Sequence, residues 1–178
     1  LHVRSRRQRQ MCIRDRILLI LLSPVFLIIA TISKIEEPDG TVYFKQQRAG
    51  VFNEPFLCYK FRSMEMSAPK NASTWELEHP EDYITPLGKF LRKTSLDELP
   101  QLINILRGEM SFIGPRPVIL KEKELLDLRA ENGAYIAKPG ITGLSQISGR
   151  DNLSPKLKAE TDGIYASDIT FILSLIHI

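Results

Sequence analysis

Cysteine and histidine are scarce in this sequence, two of the former and three of the latter among 178 residues. That scarcity argues against a disulfide framework and a multi-Cys/His zinc site, each of which needs several such side chains at short spacings. It also leaves no Cys and His grouped along the chain as a thiol nucleophile and its base. No internal repeat is visible, and the glycines do not spell a P-loop. A strong charge of either sign is missing as well, the formal net charge being only +3. Chemistry therefore falls to carboxylates, lysine, arginine or hydroxyls.

Even the small positive charge comes from the termini. The reading cgt-cgg-cag-cgt-cag-atg-tgt-ata-aga-gac encodes Arg6 through Asp15, and its continuation "ag" fits Arg16. The reverse complement of its last part, ctg-tct-ctt-ata-cac-atc, encodes Leu173-Ser174-Leu175-Ile176-His177-Ile178. One DNA element thus stands inverted at the two ends, and it resembles the transposon-end adaptor used to fragment DNA for sequencing. Segments 1–16 and 173–178 are therefore expected to be non-native and are set aside from fold reasoning; the bland alternative is a natural basic arm and apolar tail. Without Arg4, Arg6, Arg7, Arg9, Arg14, Arg16 and Asp15, the 24 basic and 21 acidic side chains fall to 18 and 20, a net charge of −2. Nucleic acid is then not an expected partner. Cys12, His2 and His177 go too, leaving Cys58 and His79. The remaining residues suit one domain with a modest core.

What is present begins with an apolar run, Ile17–Ile32, which reaches about 24 Å as a helix, short against the ~30 Å hydrocarbon layer. Ser23-Pro24 at its centre predicts a kink, because Pro removes a backbone hydrogen bond and crowds the preceding turn. A short helix broken in the middle points to re-entry rather than crossing, with the Ser23 hydroxyl satisfying the freed backbone. A truncated transmembrane span, a signal peptide and a buried core helix are the rival readings. Ala30-Thr31-Ile32 makes a poor cleavage site.

Beyond the Pro38-Asp39-Gly40 turn, Val42–Arg48 and Phe56–Arg62 read as strands of a hairpin or small sheet. A short helix is expected near Leu87–Lys93. A longer one is expected over Leu96–Arg107, with Leu96, Leu99, Leu102, Ile103 and Leu106 on one face. Met110–Ile113 reads as a short strand, Leu120–Asn132 as a charged helix ended by Gly133, and Pro139–Arg150 as a glycine-rich loop. The class is α+β, helix-rich, with an N-terminal membrane helix.

The chemistry concentrates at Arg92-Lys93-Thr94-Ser95-Leu96-Asp97-Glu98. A structural account exists: Ser95 and Glu98 have capping-box spacing, and Asp97 suits the first turn of a helix. The flanking cations favour a second account, since Arg92 and Lys93 could hold a polyphosphate against carboxylates that otherwise repel it. Lys60 and Arg62, two apart on a strand, face one side, either as a solvated face or as part of an anion site. Pro115 and Pro117 stiffen the backbone around Arg116, suiting it to bidentate phosphate recognition or to a plain turn. Gly140-Ile141-Thr142-Gly143 with Ser148-Gly149-Arg150 could cradle an anion, a weak pattern by itself.

The series Ser23-Pro24, Lys60-Phe61-Arg62-Ser63-Met64, Thr94-Ser95-Leu96-Asp97-Glu98-Leu99-Pro100-Gln101, Gly114-Pro115-Arg116-Pro117 and Pro139-Gly140-Ile141-Thr142-Gly143 resembles the bacterial sugar transferase family, the monotopic phosphoglycosyl transferases. It departs from the family pattern at Ser148 and Lys138, where Asn and Arg are more usual. The resemblance implies a membrane helix at 17–34 and a catalytic domain at 35–172, where the family would continue into another helix. It further implies transfer of a sugar-1-phosphate from a UDP-sugar to polyprenyl (undecaprenyl) phosphate. Asp97 would be the nucleophile and Glu98 a metal-site helper or a base toward the incoming lipid phosphate, the pair holding Mg²⁺ together with the diphosphate; Lys60, Arg62, Arg92, Arg116 and Arg150 would clamp phosphates. The expected location is the cytoplasmic face of a bacterial inner membrane, in contact with membrane lipid. The rivals are a membrane-tethered nucleotide-sugar-binding scaffold and a phosphohydrolase using the same aspartate with water.

Overall fold

The computed structural model describes residues 2–68, 79–149 and 153–167, with side chains from Leu18 onward. The protein is α+β and divides into two compact units, one drawn from 1–46 and 59–106, the other from 47–58 and 107–178.

The first unit opens with helix α1 (His2–Glu36). Its apolar part, Leu18–Glu36, has 19 residues and a mean hydropathy of 2.4, about 28 Å of helix. Helical backbone continues through Pro24. Pro24 has no N–H to offer the Ile20 carbonyl four residues back, and the Ser23 hydroxyl donates to that carbonyl at 2.7 Å. Where the sequence reading places a break, the helix exchanges one backbone hydrogen bond for a side-chain one. One side of α1 is docked: Ile29 is buried with Phe61 and Leu91, and Val25 and Phe26 pack on the same cluster. The other side is bare, with Ile20, Leu21 and Leu27 at least 70 % exposed.

The end of α1 is tied down by carboxylates. Glu36 Oε1 accepts from the Leu87 amide at 2.9 Å, at the start of helix α2 (Pro86–Thr94), where unpaired N–H groups favour an acid. Thr85 caps the same helix, its Oγ1 accepting from the Gly88 amide at 2.9 Å, and Pro86 occupies the first helical position. Strand β1 (Tyr43–Ala49) and strand β2 (Pro55–Phe61) make a two-stranded sheet close to the predicted hairpin.

Two expectations are corrected between Ser95 and Leu106. The single helix over Leu96–Arg107 is in fact a 3-10 turn, Leu96–Glu98, followed by helix α3 (Gln101–Leu106). Pro100 separates them, because it cannot donate into a continuous helical ladder. Ser95 is not the N-cap of a capping box either. It closes α2 in the left-handed conformation, φ 57°, with its amide on the Arg92 and Leu91 carbonyls and no hydrogen bond from its side chain to the following turn. An N-cap serine needs extended backbone, so the box cannot form and Glu98 is released for another partner.

In the second unit, strand β3 (Ser111–Ile113) runs parallel to strand β4 (Gly140–Thr142), pairing Ser111 with Gly140 and Ile113 with Thr142. Strand β4 lies where the sequence reading has only a loop. Gly114 and Gly140 allow the close approach: a Cβ added at either would stand 2.1 Å from backbone of the facing segment. Helices α4 (Lys123–Glu131), α5 (Leu144–Ile147) and α6 (Pro155–Ser167) pack around this pair. One core cluster joins Val118, Leu125, Leu126 and Ala159; another joins Ile113, Ala137, Tyr165 and Ala166.

Candidate active site

The first unit gathers Lys60, Arg92, Asp97 and Glu98. Strand β2 sets the position of Lys60, and it is held there by Asn104 of α3, whose fully buried side-chain carbonyl accepts from the Tyr59 amide at 3.1 Å. The Lys60 ammonium meets Glu98 Oε1 at 2.6 Å, with both side chains about one-fifth exposed. The 3-10 turn that released Glu98 also presents Asp97 beside it. Burial raises the Asp97 carboxyl above its ordinary range. Lys60 and Arg92 pull it down, Glu98 pushes it further up, and its own backbone amide lowers it. A partly desolvated carboxylate facing two cations and a second carboxylate is the kind of perturbed group that marks reactive sites.

Arg92 arrives from the last turn of α2. Its guanidinium pKa is lowered by burial and raised in part by Asp97, and its Nε donates to Ser63 Oγ at 2.9 Å. Arg62 lies one residue past the end of β2 and turns to Thr41, donating from Nε to the carbonyl at 2.8 Å and from its terminal nitrogen to the hydroxyl. It does not share a partner with Lys60. Pro115, Arg116 and Pro117 belong to the second unit: the prolines are buried and Arg116 is exposed. Ser23 and Pro24 lie within α1. Arg150 falls outside the described residues.

Several residues with structural consequence escaped the sequence reading. Ser63 and Asn104 hold Arg92 and β2, as above. In the second unit Arg129 donates through Nε and a terminal nitrogen to Asp162 Oδ2 at 2.9 and 2.6 Å, and through its other terminal nitrogen to the Arg116 carbonyl at 3.0 Å. Ser145 donates to Asp162 Oδ1 at 2.8 Å. This buried ion pair underlies the Gly114–Pro117 loop. Only the i, i+3, i+7 placement of Thr85, Gly88 and Arg92 hinted at any of these contacts, by putting a cap, a small residue and a cation on one side of α2.

Among the described residues no group of three or more His, Cys, Asp or Glu is arranged to hold a metal ion. Asp97 and Glu98 supply two carboxylates. That set fits Mg²⁺, which is commonly held by one or two carboxylates together with substrate phosphates and water, and would not fit a cation that needs a full protein cage.

Comparison with known proteins bears on this arrangement. The bacterial sugar transferase family matches residues 8–178. The chain is 38% identical over 173 residues to the exopolysaccharide production protein ExoY of Sinorhizobium fredii (strain NBRC 101917 / NGR234), covering 89% of this chain and 75% of that protein. It is 38% identical over 169 residues to the undecaprenyl-phosphate galactose phosphotransferase of Salmonella typhimurium, covering 86% of this chain and 34% of that one. It is 42% identical over 135 residues to the UDP-glucose:undecaprenyl-phosphate glucose-1-phosphate transferase of Escherichia coli (strain K12), covering 75% and 29%. The chain thus spans about a third of the length of the last two.

Proposed function

The chain belongs to the bacterial sugar transferase family and is a transferase enzyme, and from that premise we propose that it moves a sugar-1-phosphate from a UDP-sugar onto a polyprenyl phosphate at a membrane face. The observation that carries the reading is the meeting of Asp97, Glu98, Lys60 and Arg92 in one partly buried place. A nucleophile that attacks a diphosphate must be an anion approaching anions, and the two cations offset that repulsion.

In the first half-reaction an Asp97 carboxylate oxygen attacks the sugar-bearing phosphorus. The bond to the bridging oxygen breaks, and UMP leaves with the electron pair. Desolvation makes the carboxylate more basic and so a stronger nucleophile. Arg92 and Lys60 would take up charge on the phosphate oxygens, Lys60 shifting from Glu98 to the substrate. In the second half-reaction an oxygen of the lipid phosphate attacks the same phosphorus, forming the lipid diphosphate-sugar and freeing Asp97. Asp97 and Glu98 would hold Mg²⁺, which supplies Lewis-acid neutralisation of diphosphate charge when bound.

The acceptor explains α1. Its bare apolar side, Ile20, Leu21, Leu27, Ile28 and Ile35, belongs in lipid, while Val25, Phe26 and Ile29 dock on the cluster that also holds Phe61 of β2. We propose that in the membrane α1 bends at Pro24, where one backbone hydrogen bond is already missing, and returns to the face it entered by, with the catalytic residues on the cytoplasmic side of a bacterial inner membrane. Single cysteines placed before Ile17 and after Lys34 test this by accessibility; labelling from opposite faces would mean a simple span.

The activity is tested by incubating the lipid-reconstituted chain with UDP-glucose or UDP-galactose and undecaprenyl phosphate. UMP and lipid diphosphate-sugar in equal amounts are expected. Free sugar-1-phosphate without the lipid would make the protein a hydrolase, and donor binding without UMP release would make it a scaffold.

A further inference from the structure

We propose that Ser63 is a positioning residue for Arg92, holding the guanidinium by Nε so that its two terminal nitrogens are presented to the diphosphate of the donor; the proposal rests on the UDP-sugar reading above. Ser63 is 9 % exposed and stands just past the end of β2. Both its backbone and its side chain are engaged by one side of α2. Its carbonyl accepts from the Thr85 amide at 3.3 Å and closely approaches Gly88, while its hydroxyl takes Arg92 Nε at 2.9 Å. Thr85, Gly88 and Arg92 are spaced so that one face of the helix makes all three contacts.

The chemistry of the guanidinium gives this contact its meaning. Arginine has five N–H donors in a planar fork, and two of its edges can each grip an anion bidentately. With Nε taken by Ser63, rotation about the side-chain axis is stopped and only the outer edge, between the terminal nitrogens, remains to recognise a substrate. Among the described residues those terminal nitrogens have no hydrogen-bond partner, although burial already lowers the guanidinium pKa. Asp97 attracts the guanidinium electrostatically, and among the described residues it makes no hydrogen bond to the outer edge, which stays available to a phosphate. The hydroxyl is also a proper choice for the anchor, because an oxygen that accepts from Nε adds no charge to compete with a phosphate.

A purely structural serine would act through packing, and matched variants separate the two roles. Affinity for UDP is measured by titration calorimetry in magnesium-containing buffer, with thermal unfolding of every variant. Ser63→Thr keeps the hydroxyl and should bind UDP within about twofold of the parent. Ser63→Val, its isostere, and Ser63→Ala should bind about tenfold more weakly, the range for losing one hydrogen bond to a charged group. Ser63→Cys, nearly isosteric with serine, replaces them should the other variants unfold early. In an Arg92→Lys background, which has no Nε to hold, the Ser63→Ala effect should shrink to about twofold or less. Equal affinity of parent and Ser63→Ala would overturn the proposal, and so would an undiminished effect in the Arg92→Lys background. A parent that fails to bind UDP at all would instead overturn the donor reading on which the proposal stands.

Discussion

Replacing Gly88 with alanine adds one methyl group and should damage both stability and turnover. The new Cβ would stand 2.1 Å from the Ser63 carbonyl oxygen, 2.7 Å from its carbon and 2.9 Å from Cα. All three obstacles are backbone, so no side chain can swing aside. Restoring ordinary contact requires α2 and the Ser63 segment to part by about 1 Å. Overpacking of this kind costs about 1–3 kcal/mol, and the backbone obstacle puts this site at the upper end. Alanine returns up to about 1 kcal/mol through helix propensity, leaving a net loss of about 2 kcal/mol, or a melting temperature lower by roughly 4–8 °C. The same displacement stretches the 2.9 Å Arg92–Ser63 bond beyond hydrogen-bond range. A misplacement of ~1 Å in a positioning group can cost about a hundredfold in rate. Melting and UMP release are measured beside Lys89→Ala, an exposed position on the same helix, which should match the parent in both. A Gly88→Ala variant that melts and turns over like the parent would refute the claim that α2 and Ser63 are in close register.

Asp162→Ala strands Arg129 as a buried, unpaired cation and should destabilise by about 3–5 kcal/mol in denaturant titration, whereas Arg129→Met with Asp162→Leu should recover much of that loss; equal losses in the two would contradict the ion-pair account. The proposed attack needs an ionised Asp97, whose pKa is raised mainly by burial, so the acid limb of the pH profile for UMP release should lie above the usual carboxylate range of about 3.9. Removing the ammonium in Lys60→Met should move that limb to higher pH, and removing the neighbouring carboxylate in Glu98→Gln should move it lower. Shifts in the same direction would show that the limb does not report Asp97.

The parts of this site that sequence reveals are those written in a few adjacent residues. Asp97 and Glu98 with Arg92 form one short cluster, and Lys60 is legible from strand alternation. The division of the predicted helix at Pro100 was also within reach, but the leucine period at 96, 99, 102 and 106 outweighed the proline. Helix α6 is harder to see, because the face it buries carries Ala159, Asp162 and Ala166 with Tyr165 as its one large side chain, and an inward aspartate looks like a solvent position. Asp162 makes sense only beside Arg129, 33 positions earlier, and no local pattern announces such a pair. Ser63 is likewise an ordinary serine until α2 is laid against it. Arg62 shows the opposite failure, since alternation paired it with Lys60 although β2 ends at Phe61.

The central claim is that Asp97 carries the phosphosugar, and mass analysis of the chain after exposure to a UDP-sugar alone tests it most directly. The account predicts one UMP released per chain, one phosphosugar added to the peptide containing Asp97, discharge of that group on adding polyprenyl phosphate, and neither event in Asp97→Asn. UMP release that waits for the lipid and leaves no adduct, or an adduct that persists in Asp97→Asn, would contradict it.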